Sequence, residues 1–437
     1  MGIFTGVGSR VLTLAAPLLT IPVTLRELGP EVFGFWMLVA SISSMAMFAD
    51  LGLGNGLLTR LSSSIVTNDQ RTAKTLISTA YATLSSVALI LLIFVAVAVP
   101  TLDLSILTGE AGTNSVDFKV IALLCLSAFA ITVPLSLIQR VQYAFQEAWK
   151  SNAWQVAGAT VTVVAVYAAA YSGGGTFPII AAAVFSSPLV MLANNIYYFT
   201  WNRPGVRPSL RFTDPLAAKS LLRVGVAFFL LSLVTSFSLN VDNLVVSQLA
   251  GLETVAGFSI TTKLFSLLGL AITMIALPLW PANGDALARG DIQWVRRTTK
   301  KIAILSMSAV SIGGAVLLVA RNEIAAIWLG EGHTISFPLA LGFVAWSVCM
   351  ACVSPLFSVQ NSRGIVRYQF VGWGLYALIS IPLKIIAFHV AGLPGIPLAG
   401  TLVYVLFVVP SAILGYRATL RKVALGGEKG AGVNASY

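Results

Sequence analysis

Apolar segments of about 20 residues follow one another along almost the whole chain, and they constrain its fold more than any other feature. A helix needs about that length to cross a bilayer. We predict spans at residues 9–30, 34–58, 75–99, 118–138, 152–171, 177–198, 219–248, 256–281, 302–320, 335–358, 368–389 and 395–416. With 57% hydrophobic and 10% charged residues, the chain has too few polar groups to cover a water-exposed globule. The sequence therefore predicts an all-α polytopic membrane protein with about 12 transmembrane helices.

The second half of the chain repeats the pattern of the first half. A corner at residues 29–35 carries glycine, glutamate, glycine and phenylalanine, and residues 251–258 carry the same four residue types. Further on, Gln142 corresponds to Gln360. Self-similarity at a fixed spacing indicates repeated structural units. Because each copy would hold six spans, an even number, we predict two six-helix bundles related by a pseudo-two-fold axis along the membrane normal.

Lysines and arginines are concentrated in every second connection between spans. Of the 27 in the chain, 21 lie in these connections and the C-terminal tail, and only Arg26, Lys119 and Arg321 lie in the others. Positive residues near span ends mark the cytoplasmic side. We therefore expect both termini in the cytoplasm. The first residues lack the pattern of a cleaved signal peptide, so we expect the N-terminus to be retained.

The longest and most basic connection divides the chain into four parts. We predict an N-terminal six-helix bundle at 1–200, a basic cytoplasmic linker at 201–223, a C-terminal six-helix bundle at 224–416 and a cytoplasmic tail at 417–437. A cavity between the two bundles is the natural place for a substrate.

Five ionisable side chains lie inside predicted spans, where a charge is costly and so indicates either function or mutual pairing. They are Arg10, Asp50, Asp242, Lys263 and Lys384. Asp242 and Lys263 can form a structural ion pair at comparable depth, or line a cavity. Arg10 can pair with Asp50 or extend to the inner surface. Lys384 has no acidic neighbour in its own span, so we predict that it holds an anion, with Arg10 as second choice.

Several classes of function lack their usual sequence signals. Catalytic residues and a nucleotide-binding loop are not recognisable, and the glycines at 52–56 are better explained by close helix packing. Cys125, Cys349 and Cys352 lie in apolar spans away from both histidines, so we predict no metal site and no cofactor. The net charge of +11 comes without a nucleic-acid-binding module. The chain is therefore not expected to be an enzyme or to bind nucleic acid.

The stretch LGPEVFGFWMLVASISSMAMFADLGLGNGLLTRLS resembles the early signature of bacterial oligosaccharide flippases. These Wzx-like proteins form the polysaccharide-transporter branch of the multidrug, oligosaccharidyl-lipid and polysaccharide exporter (MOP) superfamily. The resemblance implies a MATE-like pair of bundles in the bacterial inner membrane. It also implies transport, by alternating access, of an undecaprenyl-pyrophosphate-linked oligosaccharide for O-antigen, capsule or exopolysaccharide.

The same resemblance implies partners and a type of binding site. Besides the lipid-linked substrate and the bilayer, the partners would be a polysaccharide polymerase, the chain-length machinery and a coupling ion, H⁺ or Na⁺. Fixed cations would hold the pyrophosphate. Asn152, Asn240 and Asn243, and also Gln155, Asn194 and Asn195, would face the sugars or form interhelical hydrogen bonds. A cation-coupled multidrug exporter of the same fold is the main alternative function, and a glycan polymerase or ligase is a weaker one.

Overall fold

The computed structural model describes residues 2–45, 52–66, 68–109, 116–276 and 279–433, and these ranges are almost entirely helical. The first ten helices are α1 (Gly2–Met45), α2 (Leu53–Val66), α3 (Gln70–Thr101), α4 (Ser105–Thr108), α5 (Val116–Leu135), α6 (Leu137–Ala144), α7 (Ala148–Tyr171), α8 (Thr176–Tyr197), α9 (Pro215–Asn240) and α10 (Asp242–Phe265). The other eight are α11 (Leu267–Ala276), α12 (Leu279–Ala288), α13 (Ile292–Val319), α14 (Arg321–Leu329), α15 (Phe337–Ser362), α16 (Arg367–Ala391), α17 (Gly395–Val403) and α18 (Val409–Val433). Short π-helical segments follow α8 at Tyr198–Asn202 and α17 at Tyr404–Val408.

Two of these helices pass through a corner. Gly29 in α1 has φ 74° and ψ 164°, and Gly251 in α10 has φ 76° and ψ 174°. This region of backbone conformation is open to glycine and strained for other residues. The two glycines that the repeat aligned therefore adopt the same conformation.

Ten stretches of the described ranges are long and apolar enough to cross a membrane. Two of them, Ala15–Met45 and Phe229–Leu270, run through the corners at Gly29 and Gly251, and each covers parts of two predicted spans. The other eight match the remaining spans one by one. The prediction of an all-α membrane protein with about 12 crossing segments is confirmed.

The repeat also appears in two pairs of matching turns. The first pair follows α2 and α12. In the turn after α2, Asn68 has φ 55°, and the Asp69 amide donates to the Ser64 carbonyl at 3.0 Å. In the turn after α12, Gly290 has φ 75°, and the Asp291 amide donates to the Ala286 carbonyl at 2.9 Å. The next helix then begins with a capping aspartate in both copies.

The second pair of turns follows α6 and α15. Gln146 has φ 58° and Gly364 has φ 65°. Amides at Glu147 and Ile365 close these turns on the carbonyls of Gln142 and Gln360, at 2.8 and 3.0 Å. Glu147 and Ile365 therefore occupy equivalent positions in the two copies.

Packing divides the chain into two compact units, Met1–Ile260 (unit 1) and Thr261–Tyr437 (unit 2). The boundary between these two units lies inside α10 and is defined by packing. The four parts predicted from the sequence are defined instead by the repeat and by the basic linker. Those four parts stay a prediction. Within unit 1, Gly56 on α2 lies directly against the backbone of Leu221 on α9, as expected of a glycine that allows two helices to approach closely.

Candidate functional site

Lys384 lies deep inside unit 2, with only 1% of its surface exposed. It shares one face of α16 with Tyr376 and Ser380, since residues four apart in a helix point the same way. The Nζ atom is 5.5 Å from the centre of the Tyr376 ring, a cation–π contact. A Cβ atom at Gly400 on α17 would lie 3.2 Å from the Lys384 Cε atom, so the missing side chain makes room for the lysine. Lys384 is therefore a partnered cation enclosed by helices.

An aromatic cluster surrounds this part of α16. It consists of Trp346, Trp373, Tyr376 and Tyr404, whose neighbouring ring centres lie 5.1–6.3 Å apart. The cluster joins α15, α16 and the π-helical segment after α17. Ser380 is fully buried, and its hydroxyl has no hydrogen-bond partner among the described residues. The sequence did contain a signal for this cluster, because Trp346, Tyr376 and Tyr404 lie well inside their spans rather than at the interface where Trp and Tyr usually collect.

Asn194 and Asn195, on α8, form hydrogen bonds between helices. The Gln142 amide donates to the Asn194 Oδ1 atom at 2.8 Å. The Tyr81 hydroxyl donates to the Asn195 Oδ1 atom at 2.5 Å, and the Asn195 Nδ2 atom donates to the Leu135 carbonyl at 3.1 Å. Of the two alternatives predicted for these asparagines, the structure shows the interhelical bonds.

The other polar candidates have varied surroundings. The Asn243 Nδ2 atom donates to the Ser41 Oγ atom at 2.7 Å and so links α10 to α1. Asn240 donates to the Ser236 carbonyl on its own helix at 2.8 Å. Asn152 is half-buried in the first turns of α7, and on the same helix the Gln155 amide donates to a serine hydroxyl one turn earlier. Whether Asn152, Asn240 and Asn243 face sugars stays a prediction.

The remaining charged candidates are placed only in part. Asp50 lies outside the described residues, and for Arg10 only the backbone, within α1, is described. Asp242 is the half-buried first residue of α10 and belongs to unit 1, whereas Lys263 lies near the end of that helix in unit 2 and is exposed. Both proposed ion pairs, Asp242 with Lys263 and Arg10 with Asp50, therefore stay predictions.

Glu147 forms a charged network in unit 1 that the sequence analysis missed. Its carboxylate accepts from the Tyr198 hydroxyl at 2.8 Å and from Arg203 at 2.9 Å, and Lys150 lies 3.2 Å away. Burial raises the pKa of Glu147, but the hydrogen bonds from Tyr198, Arg203 and Lys150 outweigh it, so the pKa lies below its usual value. The hydrogen bond to Glu147 likewise raises the pKa of Arg203. The network ties the start of the basic linker to the turn between α6 and α7.

Comparison with known proteins identifies the family. Residues 2–283, well over half of the chain, match the family described as polysaccharide biosynthesis protein. The chain belongs to this polysaccharide biosynthesis family. The resemblance recognised in the sequence is thereby confirmed, and so is the assignment to a multi-pass membrane protein.

Two curated relatives align with this chain over about two thirds or more of their length. A "Putative O-antigen export protein" of Yersinia pseudotuberculosis is 22% identical over 337 residues, which cover 76% of each chain. A "Putative O-antigen transporter" of Salmonella typhi is 23% identical over 318 residues, covering 71% of this chain and 68% of the relative. Among solved structures, the inward-facing conformation of a multidrug resistance MATE family transporter of the MOP superfamily aligns with a TM-score of 0.76 and 16% identity, covering 95% of this chain and 98% of that one. This last likeness shows the fold alone.

Proposed function

We propose that this polysaccharide biosynthesis protein moves undecaprenyl-pyrophosphate-linked oligosaccharide units from the inner to the outer leaflet of the bacterial inner membrane. The observation that carries the proposal is the family match over residues 2–283. The names of the two O-antigen relatives support it, and the fold, shared with a transporter, is suited to alternating access. A cation-coupled drug exporter is the second candidate, because that fold likeness is to a multidrug transporter.

The two candidates make opposite predictions in cells. In a strain that lacks its own flippase but assembles a compatible lipid-linked glycan, this chain should restore the glycan at the cell surface and leave drug susceptibility unchanged. Absence of surface glycan together with increased drug resistance would overturn the proposal in favour of the exporter. An immunoblot of the membranes serves as the control, because the result counts only if the chain is present in the membrane.

We place both termini in the cytoplasm, because the lysines and arginines are concentrated in alternate connections. Reporter fusions after Arg71, Arg211 and Arg297 should report cytoplasm, and fusions near Glu110 and Glu323 the outside. A periplasmic signal from the Arg211 fusion would contradict the arrangement of two modules with six spans each.

Lys384 remains our candidate for holding the pyrophosphate. Because Lys384 is buried, the proposal also requires a movement that exposes it. Since Lys384 is enclosed by Tyr376 and Gly400, a phosphate reaches the Nζ atom only when α16 and α17 move apart. A buried lysine can also have a purely structural role. The substitutions Lys384→Arg and Lys384→Gln separate these two roles, because arginine keeps the positive charge that binds an anion and glutamine removes it.

If Lys384 binds substrate, Lys384→Gln abolishes glycan export at an unchanged protein level and unfolding temperature, and Lys384→Arg keeps part of the export. If the role is structural, both variants lower the unfolding temperature, and their export falls in proportion to their membrane level. Full export by Lys384→Gln would move the anion site to Arg10 or to the basic end of the helices.

Asp242 and Lys263 are proposed to act as a pair. Neutralising either residue alone would leave one charge unmatched and should impair transport. Exchanging the two residues should restore part of it. If both single variants transport like the parent chain, the pair has no role.

A further inference from the structure

A cavity with cationic walls lies at one end of unit 2, and we call it the unit 2 cavity. It has a volume of about 510 Å³ and lies where the ends of α12 and α15 meet the middle of α18. Arg289, Arg363 and Lys422 line it, together with Ile365 and Thr419. None of the described residues in its wall is acidic. The cavity is therefore large enough for a small headgroup and carries three positive charges.

One of the three cations, Arg363, is held in place by the fold. The Arg363 guanidinium donates to the Leu287 carbonyl at the end of α12, which holds this arginine at the cavity wall. Its other N–H groups have no acceptor within the part of the chain that the structure describes. Since an arginine carries five donors, the side chain still has capacity for an anion.

The floor next to these cations is apolar. The half-buried side chains of Ile365 and Val423 line the cavity, and Val423 packs against a buried cluster that includes Leu287. Cations beside an apolar surface suit an amphiphile, whose phosphate pairs with the cations while its hydrocarbon covers the apolar part.

The repeat provides an internal comparison for the missing acid. Unit 1 has a cavity of about 760 Å³ beside the equivalent turns, which contain Asn68 and Gln146. There Arg203 lines the wall, and Glu147 pairs with it at 2.9 Å. In unit 2 the position of Glu147 is taken by Ile365, as the matching turn hydrogen bonds show. The position of the carboxylate that pairs with the wall arginine in unit 1 is therefore occupied by an apolar side chain in unit 2.

Neither of the two acidic residues next to Arg289 in the chain replaces it. Asp291 follows the turn, but its carboxylate accepts from the Trp294 amide at 2.9 Å as the cap of α13. Asp285, four residues before Arg289, is exposed and is not part of the wall. A preference for positive residues near span ends explains the presence of cations here. It does not explain why they surround a cavity from which the acid of the other copy is missing.

We propose that the unit 2 cavity binds the phosphate of an anionic phospholipid, with Arg289, Arg363 and Lys422 as its cationic contacts. Free phosphate offers the same charged group without the hydrocarbon, and the experiment separates the two. The proposal concerns a lipid site distinct from the translocated substrate, so it does not depend on the proposed transport function.

The test measures retention of lipid by the purified full-length chain. The chain is incubated in detergent with phosphatidylglycerol or phosphatidylcholine, and bound lipid is counted by native mass spectrometry. Each cation near an anionic lipid contributes about a fivefold change in affinity, so Arg289→Gln with Lys422→Gln should weaken phosphatidylglycerol binding about 30-fold. Ile365→Glu, which restores the acid of unit 1, should weaken it about fivefold. Phosphatidylcholine retention should be the same in all variants.

The matched control is Arg297→Gln with Lys300→Gln, which removes the same charge from exposed positions on α13 outside the cavity wall. It should bind phosphatidylglycerol like the parent chain. An equal loss in this control, or no preference for phosphatidylglycerol in the parent, would overturn the proposal. Displacement of the lipid by millimolar inorganic phosphate would overturn the lipid assignment and make this a site for soluble phosphate. Unchanged unfolding temperatures in all variants confirm that folding is not the cause.

Discussion

Replacing Glu147 by glutamine tests how much the charged network of unit 1 stabilises the fold. The glutamine keeps the shape of the side chain and one acceptor oxygen, but it removes the charge that Arg203 and Lys150 share. Hydrogen bonds to a charged group contribute about 1.5–3 kcal/mol, compared with about 0.5–1.5 kcal/mol for neutral pairs. Tyr198 and Arg203 donate to different oxygens of Glu147, so in the glutamine variant one bond is weakened and the other loses its acceptor, a loss of about 1–3 kcal/mol in all.

Solvent reduces this sum, because the Arg203 side chain is 44% exposed whereas that of Glu147 is 16% exposed. We expect a net loss of about 1–2 kcal/mol in the free energy of unfolding of unit 1. For a unit of this size, that corresponds to a lowering of the unfolding temperature by about 2–8 °C. Differential scanning fluorimetry of the detergent-purified chain measures the shift.

The control is Glu27→Gln, which removes a carboxylate from an ion pair between adjacent exposed residues, Arg26 and Glu27. Such a pair contributes little, so this variant should unfold at the parent temperature. The pH dependence gives a second check. Because the pKa of Glu147 is lowered from 4.5, its contribution is complete above that pH and is lost as the pH falls through the lowered pKa. The gap between parent and Glu147→Gln should therefore close in acid, and an equal shift in Glu27→Gln or a gap independent of pH would refute the reasoning.

Two further pairs of substitutions use the repeat as its own control. A Cβ atom at Gly34 would lie 2.8 Å from the Leu252 carbonyl carbon, whereas a Cβ atom at Gly257 would meet nothing within 4 Å. Gly34→Ala should therefore lower the unfolding temperature, and Gly257→Ala should leave it unchanged. Equal shifts in the two variants would contradict the close contact of α1 with α10. Gln146 has the same positive φ as its counterpart Gly364, so Gln146→Gly should stabilise the chain by up to about 1 kcal/mol and Gly364→Gln should destabilise it by a similar amount in the same thermal scans. Changes of the same sign in these two variants would show that the turns are not equivalent.

The fold was predictable from the sequence because its main signals are local. Length and apolarity identify membrane helices with few alternatives, since a bilayer leaves the backbone little choice but to form helices. The glycines at 29 and 251 predicted the corners because a positive φ favours that residue. Gln146 shows the limit of this reasoning, because its positive φ is set by the turn and not by its residue type.

The site was less predictable because it depends on contacts between distant segments. Nothing local shows that Lys384 packs under Gly400, 16 residues away on the next helix. Glu147 was missed for a similar reason, since its partners Tyr198 and Arg203 lie more than 50 residues further on. Asn194 and Asn195 were ambiguous because an amide in a span can hydrogen-bond either to a sugar or to a neighbouring helix. Their hydrogen bonds to Gln142 and Tyr81 depend on how the helices pack, which the sequence does not show.

Transport by the purified protein tests the central claim most directly. The chain is reconstituted into proteoliposomes that contain a fluorescent polyprenyl-pyrophosphate-linked oligosaccharide, and a membrane-impermeant enzyme or quencher measures the fraction of headgroups on the outer leaflet. The proposed flippase should make nearly all headgroups accessible within the time in which protein-free vesicles expose only about half, and a matched vesicle with a cationic drug should show no export. Headgroup accessibility that stays at the protein-free level while the drug is exported would contradict the account.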